Sequence, residues 1–208
     1  MGCILCACQR QRQGLPRGFS TCHGRRGFVF CSRTSDVKLS AVIPVHNGGE
    51  NLRLCLEALT RSTRRPDEII VVDDASTDGS GDLAQKFGAR VLRLPGPPRG
   101  AALPRNRGAA IASGDLLVFV DADVAVSPQA LALMERVMSE HQEIAALFGS
   151  YDTSPRASGL VSRYKNLLHH YVHQHGEREA STFWTGCGAI RRQVFHKLGG
   201  FDPSYRVI

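Results

Sequence analysis

The run Leu116-Leu117-Val118-Phe119-Val120 is apolar without interruption and passes directly into Asp121-Ala122-Asp123. Such a run reads as a strand buried on both faces, as in a parallel sheet between helices. Open α/β sheets keep their ligands at the carboxyl ends of these strands. If strand geometry continues past Val120, alternation puts residues 121 and 123 on one side, where two carboxylates face one hard cation or a phosphate-bound metal. A second strand end repeats the plan, with Glu68-Ile69-Ile70-Val71-Val72 leading into Asp73-Asp74-Ala75-Ser76. Two acidic strand ends in one short chain point to a nucleotide and metal site.

From Leu39 onward, short apolar runs alternate with amphipathic segments, the pattern of an α/β domain around a mainly parallel sheet flanked by helices. Strands are expected at 39–45, 68–72, 90–94, 116–120, 144–149 and 183–190. The first helix starts near Glu50, with Leu52, Cys55, Leu56 and Leu59 at helical spacing. Asp78-Gly79-Ser80 opens a second helix that Gly88 stops, and Ser127-Pro128 caps a later one over 130–141. Further helices are expected at 103–113, 164–175 and 191–198. Between them, Pro95-Gly96-Pro97-Pro98-Arg99-Gly100 is a loop, because three prolines remove amide donors and two glycines add freedom.

A chain of 208 residues with 42% hydrophobic content supports one well-buried domain. Its formal charge of +7 is unevenly spread: residues 1–38 hold seven Lys/Arg against one Asp, leaving 19 against 18 for the rest. The domain is therefore nearly neutral, and nucleic acid is not an expected partner. Residues 1–37 form a basic leader with five of the seven cysteines and neither helical nor strand periodicity, read as poorly ordered. Cys3, Cys6, Cys22 and His23 lack the spacing of a zinc site, and Cys6 stands where a myristoylation signal needs Ser or Thr. Acylation at Cys3 stays open. The leader also lacks the apolar core of a secretory signal, and a misassigned start, with the domain beginning near Val37, accounts for its composition. In the domain only Cys55 and Cys187 remain, which fits a reducing, cytoplasmic setting. No run approaches the roughly 18 apolar residues of a membrane span. Peripheral contact with the inner face of a membrane stays open.

Six ordered elements carry a resemblance: Val42-Ile43-Pro44-Val45-His46-Asn47, Val72-Asp73-Asp74-Ala75-Ser76-Thr77-Asp78-Gly79, Ala102-Leu103-Pro104-Arg105-Asn106-Arg107-Gly108, Asp121-Ala122-Asp123, Thr185-Gly186-Cys187 and Gly199-Gly200-Phe201-Asp202. In this order they resemble the nucleotide-sugar-dependent glycosyltransferases of family 2, from Leu39 to the end of the chain. The resemblance implies a GT-A fold and inverting transfer of a sugar from a nucleoside diphosphate donor to a hydroxyl acceptor, glycan or lipid-linked. It implies a donor site formed by Pro44, Val45, His46, Asn47, Glu50, Asp74, Ser76, Arg105, Asp121 and Ala122. His46 would stack on the base where relatives often carry Tyr, Asp74 would accept from a base N–H, and Arg105 would approach the pyrophosphate. Asp123, with Asp121, would hold Mg²⁺ or Mn²⁺, and Trp184, Thr185 and Gly186 would face the acceptor.

The resemblance places the general base in an acidic pair after the Gly-Gly-Phe-Asp element, so the base is expected beyond Ile208 and the domain over 38–208 is read as incomplete. Asp202 is the alternative base, although its position reads first as a turn. A donor-binding module without the base and a nucleotidyltransferase are the competing readings; the latter lacks a Gly-rich, Lys/Arg-bearing phosphate cradle. A dinucleotide-binding dehydrogenase is excluded, because Pro44-Val45-His46-Asn47-Gly48-Gly49 is not a G-x-G-x-x-G turn.

The remaining chemistry-bearing residues have simpler readings. His169, His170, His173 and His175 belong to a partly exposed helix rather than a zinc site, since no Glu follows His169. Trp184 is either core packing or a sugar platform. Cys187 is a small buried residue, and Arg191-Arg192 reads first as a solvated helix start, with contact to a phosphorylated lipid acceptor as the alternative.

Overall fold

The computed structural model describes residues 5–10, 37–153, 159–175 and 182–204. Thirteen elements follow in the order β1 (Leu5–Arg10), β2 (Leu39–Val45), α1 (Gly49–Thr60), β3 (Glu68–Asp74), α2 (Ser80–Lys86), β4 (Arg90–Leu94), α3 (Ala102–Ile111), β5 (Leu116–Val120), α4 (Ala130–Glu140), β6 (Ile144–Gly149), α5 (Leu160–His175), β7 (Cys187–Arg191) and α6 (Arg192–Lys197). The strands make one sheet in the order β1-β6-β7-β5-β2-β3-β4. β5, β2, β3 and β4 run parallel, whereas β7 pairs antiparallel with both β5 and β6.

Period-two alternation sorts the apolar side chains into two cores. On one face Leu39, Ala41, Ile43 and Val45 of β2 and Leu116, Val118 and Val120 of β5 pack against Leu52, Leu56 and Leu59 of α1 and Leu131, Met134 and Met138 of α4. On the other, Val42, Ile70, Val72, Leu117 and Phe119 meet Ala109 of α3 and Phe195 of α6. β2 and β5 are buried along their whole length, so β5 reads as an unbroken apolar run and β2 as one interrupted only by Ser40, whose hydroxyl bonds Glu68. Gly108 lets α3 lie close on the sheet: a Cβ there would collide with Val42 Cγ1 and stand 3.1 Å from Val72 Cγ2.

The topology creates the crevice. The chain steps outward from β2 to β3 to β4, then α3 carries it back to β5 on the other side of β2. The carboxyl ends of β2 and β5 therefore diverge into a switch point.

Three differences from the expectations have physical causes. Leu5–Arg10 forms an edge strand antiparallel to β6, within a leader expected to have no regular structure. Edge pairing is made by backbone groups and does not require a side-chain pattern; the rest of residues 1–36 lies outside the described residues. The last strand begins at Cys187 rather than 183, because Thr185-Gly186 turns the chain first. α5 begins at Leu160, one turn before the expected 164.

Candidate active site

At the switch point a cleft of ≈ 360 Å³ is lined by Pro44, Val45, His46, Asp74, Arg105, Asp121, Ala122 and Asp123, joined by Pro98, Gly100, Ala101 and Pro104. It collects eight of the sequence-derived residues from β2, β3, α3 and β5.

Asp74 divides its two oxygens. Oδ2 accepts hydrogen bonds from the backbone N–H groups of Arg99 (2.6 Å) and Gly100 (3.0 Å), which draws the proline-rich loop over the cleft. Oδ1 is buried and has no hydrogen-bond partner among the described residues. A buried carboxylate oxygen left unpaired costs free energy that a ligand donor would recover. Pro98, Gly100, Ala101 and Pro104 were not among the expected site residues; the density of Pro and Gly marked 95–100 as a loop but not its place beside Asp74.

His46 sits exposed at the mouth, with Nδ1 bonded to the Asp74 carbonyl oxygen at 2.8 Å. Because a carbonyl only accepts, Nδ1 carries the proton, and Nε2 accepts from Asn47 Nδ2 at 3.1 Å. The ring is thereby oriented. Asn47 and Ser76 do not line the cleft. They clamp two strand-end loops together: Asn47 N–H donates to Ser76 Oγ at 2.9 Å, and Asn47 Oδ1 accepts from Thr77 N–H at 2.8 Å. Both loops hold a left-handed non-glycine residue, Asn47 at φ 52° and Ala75 at φ 61°. For Ala75 this costs about 1 kcal/mol. Glu50, expected in the donor site, is instead exposed on the first turn of α1 and paired with Arg53 at 2.7 Å. It is not among the residues lining the cleft.

The expectation that 121 and 123 alternate as strand residues is corrected. β5 ends at Val120, and Asp121 begins a turn closed by Val124 N–H donating to Asp121 O at 3.0 Å. The turn nevertheless leaves both carboxylates at the cleft. Arg105 reaches Asp121 Oδ1 at 2.5 Å and lies over the Phe201 ring, 5.7 Å from its centroid. Burial raises the Asp121 pKa, the Arg105 cation counters it, and the Asp123 charge raises it further. Asp123 itself is exposed. Two carboxylates that repel each other at a cleft mouth suit a hard divalent cation. Among the described residues no third acidic, His or Cys ligand joins them, so phosphate oxygens and water would complete the coordination. The residues fit Mg²⁺ or Mn²⁺ with part of its coordination left to other oxygen donors.

Behind this turn, Cys55 on α1 donates through Sγ to Asp121 O at 3.6 Å, and burial, aided by the Asp123 and Asp121 charges, pushes its pKa up to about 12. Beside it, Asp121 N–H donates to Gly186 O at 3.1 Å, which brings Thr185-Gly186 against the acidic turn. Trp184, 37% exposed, packs edge-on to Tyr151 and within 5.5 Å of the His169 and His173 rings. Burial first, then the Asp123 and Asp121 charges, raises the Tyr151 pKa. Tyr151 had not been singled out in the sequence; it follows β6 with no motif around it. The histidines are held by aromatic rings and by the Tyr151 carbonyl, on which His170 Nδ1 bonds.

Asp202 lies outside the cleft lining. Its carboxylate accepts from Ser204 Oγ (2.7 Å) and Ser204 N–H (2.8 Å), which hold its pKa below the usual range. Asn106 secures the preceding residue in both directions, donating to Phe201 O at 2.7 Å and accepting from Phe201 N–H at 2.9 Å. Arg191 is no solvated cation: it donates to the carbonyls of Ile144, Met138 and His141, away from the cleft.

A GT-A fold with an acidic turn at its switch point defines a class, and the sequence match agrees. This chain belongs to glycosyl transferase family 2, whose model matches residues 40–199. It is 37% identical over 112 residues to the uncharacterized glycosyltransferase YibD of Escherichia coli, a stretch covering 52% of this chain and 33% of YibD. With the probable glycosyltransferase YdaM of Bacillus subtilis it shares 28% identity over 182 residues, 80% of this chain and 43% of YdaM. The chain thus spans less than half the length of these relatives. Among solved structures, the mannosyltransferase of Pyrobaculum calidifontis in complex with GDP-Man and Mn²⁺ superposes with a TM-score of 0.61 at 22% identity, over 82% of this chain and 49% of that one.

Proposed function

We propose that the cleft binds a nucleoside diphosphate sugar with a divalent cation and passes the sugar to a hydroxyl acceptor, glycan or lipid-linked, with inversion at C1. The unpaired, buried Asp74 Oδ1 carries the reading, because an acceptor-only oxygen in the cleft calls for a base N–H. The oriented His46 ring supplies a face for the base, and Arg105 supplies positive charge toward the pyrophosphate. Asp123, with Asp121, would hold Mg²⁺ or Mn²⁺, which when bound neutralises charge on the departing diphosphate. Arg105 keeps Asp121 in place beside it. Trp184, Thr185 and Gly186, brought to the acidic turn by the Asp121–Gly186 bond, would face the acceptor. Proton removal from the acceptor is assigned to a carboxylate other than Asp202, which lies outside the cleft lining and whose Oδ1 is engaged twice by Ser204. Family membership favours sugar transfer over nucleotidyl transfer.

Calorimetric titration of UDP and of GDP, each with and without Mn²⁺, tests the reading. Metal-dependent binding of one nucleotide, lost in Asp123→Ala, is the expected result. Binding of neither would overturn it.

A further inference from the structure

α5 is inside out. Its inward residues are polar: Asn166 is buried and donates to Asp152 O at 2.5 Å, His170 bonds the Tyr151 carbonyl, and His169 and His173 pack on Tyr151, Phe148 and Trp184. Its apolar residues face away from the other described residues. Leu160 is 85% exposed, Val161 67%, Tyr164 65%, Tyr171 59% and Val172 53%, with Leu167 and Leu168 above 40%. At 3.6 residues per turn these seven fall within an arc of about 140°. The inward bonds fix this orientation, since a roll of the helix to bury the stripe would strip Asn166 and His170 of their partners.

We propose that this outward face docks on an anionic lipid bilayer. The charge pattern selects the partner: α5 contains no Asp or Glu, and exposed Arg163 and Lys165 stand on opposite borders of the apolar arc. Cations flanking an apolar stripe suit a helix lying in the headgroup plane, with the stripe in the acyl boundary and the cations on anionic headgroups. Tyr164 and Tyr171 suit the same boundary, being apolar bodies with a polar tip. A second copy of the same face would instead set cation against cation. The helix rests on the surface rather than crossing it; no helix among the described residues is long and apolar enough to span a membrane.

Docking there has a consequence that rests on the donor-site reading. The inward face of α5 touches Trp184, whose indole lies against Gly186, which in turn accepts the Asp121 N–H. The bilayer would thus lie on the far side of α5 and Trp184 from the acidic turn, on the flank from which a lipid-borne hydroxyl could approach.

Sedimentation of the full chain with phosphatidylcholine vesicles, with and without phosphatidylglycerol, tests the proposal. Binding to the anionic vesicles, weakened by salt, is expected. Leu168→Glu combined with Tyr171→Glu should abolish it, and Arg163→Gln with Lys165→Gln should weaken it roughly 30-fold, about fivefold per cation. Both variants should keep the wild-type Tm and Mn²⁺-dependent nucleotide titration, which separates failure of docking from failure of the donor site. No vesicle binding by the wild type, or binding indifferent to the outward substitutions, would overturn the proposal. So would lipid-free self-association that Leu168→Glu disperses, since the occupant would then be a second copy.

Discussion

Asp74 and Asp123 lie in one cleft and make different demands on a ligand. Asp74 has one oxygen committed to the 99–100 amides and one buried and open. Asp74→Asn should therefore lower nucleotide affinity roughly 10- to 100-fold, as loss of a hydrogen bond to a charged acceptor does, with little effect on its metal dependence. Titration calorimetry with and without Mn²⁺ separates the two quantities. Asp123→Ala should do the reverse, removing the metal-dependent increment while leaving Tm unchanged, because Asp123 is exposed. Cys55 makes a third prediction. With its pKa pushed up to about 12 and its side chain buried, it stays a protonated thiol at pH 8 and should resist alkylation in the native protein. Mass mapping after iodoacetamide treatment, native against urea-unfolded, reads this directly. Rapid native labelling at Cys55 would contradict the packing of α1 beneath the acidic turn.

At the level of elements, α3 is held to the sheet by a missing side chain. Gly108 permits contact with Val42 and Val72, so Gly108→Ala should overpack this contact and cost about 1–3 kcal/mol, measurable by urea unfolding. Nucleotide binding should weaken with it, because α3 also carries Arg105. The opposite end of the sheet is tied by Glu68 at the start of β3. Its Oε1 accepts from Ser40 Oγ (2.6 Å), Ser113 N–H (2.6 Å) and Ser113 Oγ (2.8 Å), joining β2, β3 and the turn before β5. Neighbouring Asp67 accepts from Leu39 N–H at 2.7 Å and from Arg64 at 2.8 Å.

For the whole molecule, these two carboxylates contribute to the expected acid response, together with Asp78 and Asp202, whose pKa values are also held down by hydrogen bonds. Burial pushes the Asp67 and Glu68 pKa values up, but the hydrogen bonds to Leu39, Arg64, Ser40 and Ser113 outweigh it and hold both below their ordinary values of 3.8 and 4.5. A depressed carboxylate pKa contributes stability that is complete above the unfolded value and lost as pH falls through the folded one. Stability should therefore hold above about pH 4.5 and decline below it. Glu68→Gln should lower stability at neutral pH by about 1 kcal/mol and flatten the decline. Denaturant midpoints across pH 2 to 7 would test both.

Sequence alone determined the alternation of strands and helices from Leu39, because strands buried between helices read as short, mainly apolar runs. It also located both acidic strand ends, His46 and Arg105, since a crevice at the carboxyl ends of strands draws on residues next to those runs. It failed where position depends on chain segments distant in sequence. Glu50 is close to the site in sequence but pairs with Arg53 on α1, outside the cleft lining. The 98–101 loop enters the site because its amides find Asp74, and no local pattern encodes that meeting. The turn at Asp121 replaced the expected strand geometry because β5 loses its pairing with β2 after Phe119. Most clearly, the sequence of α5 is amphipathic either way round. Only the anchoring of Asn166 and His170 on the residues after β6 decided that its apolar stripe faces outward.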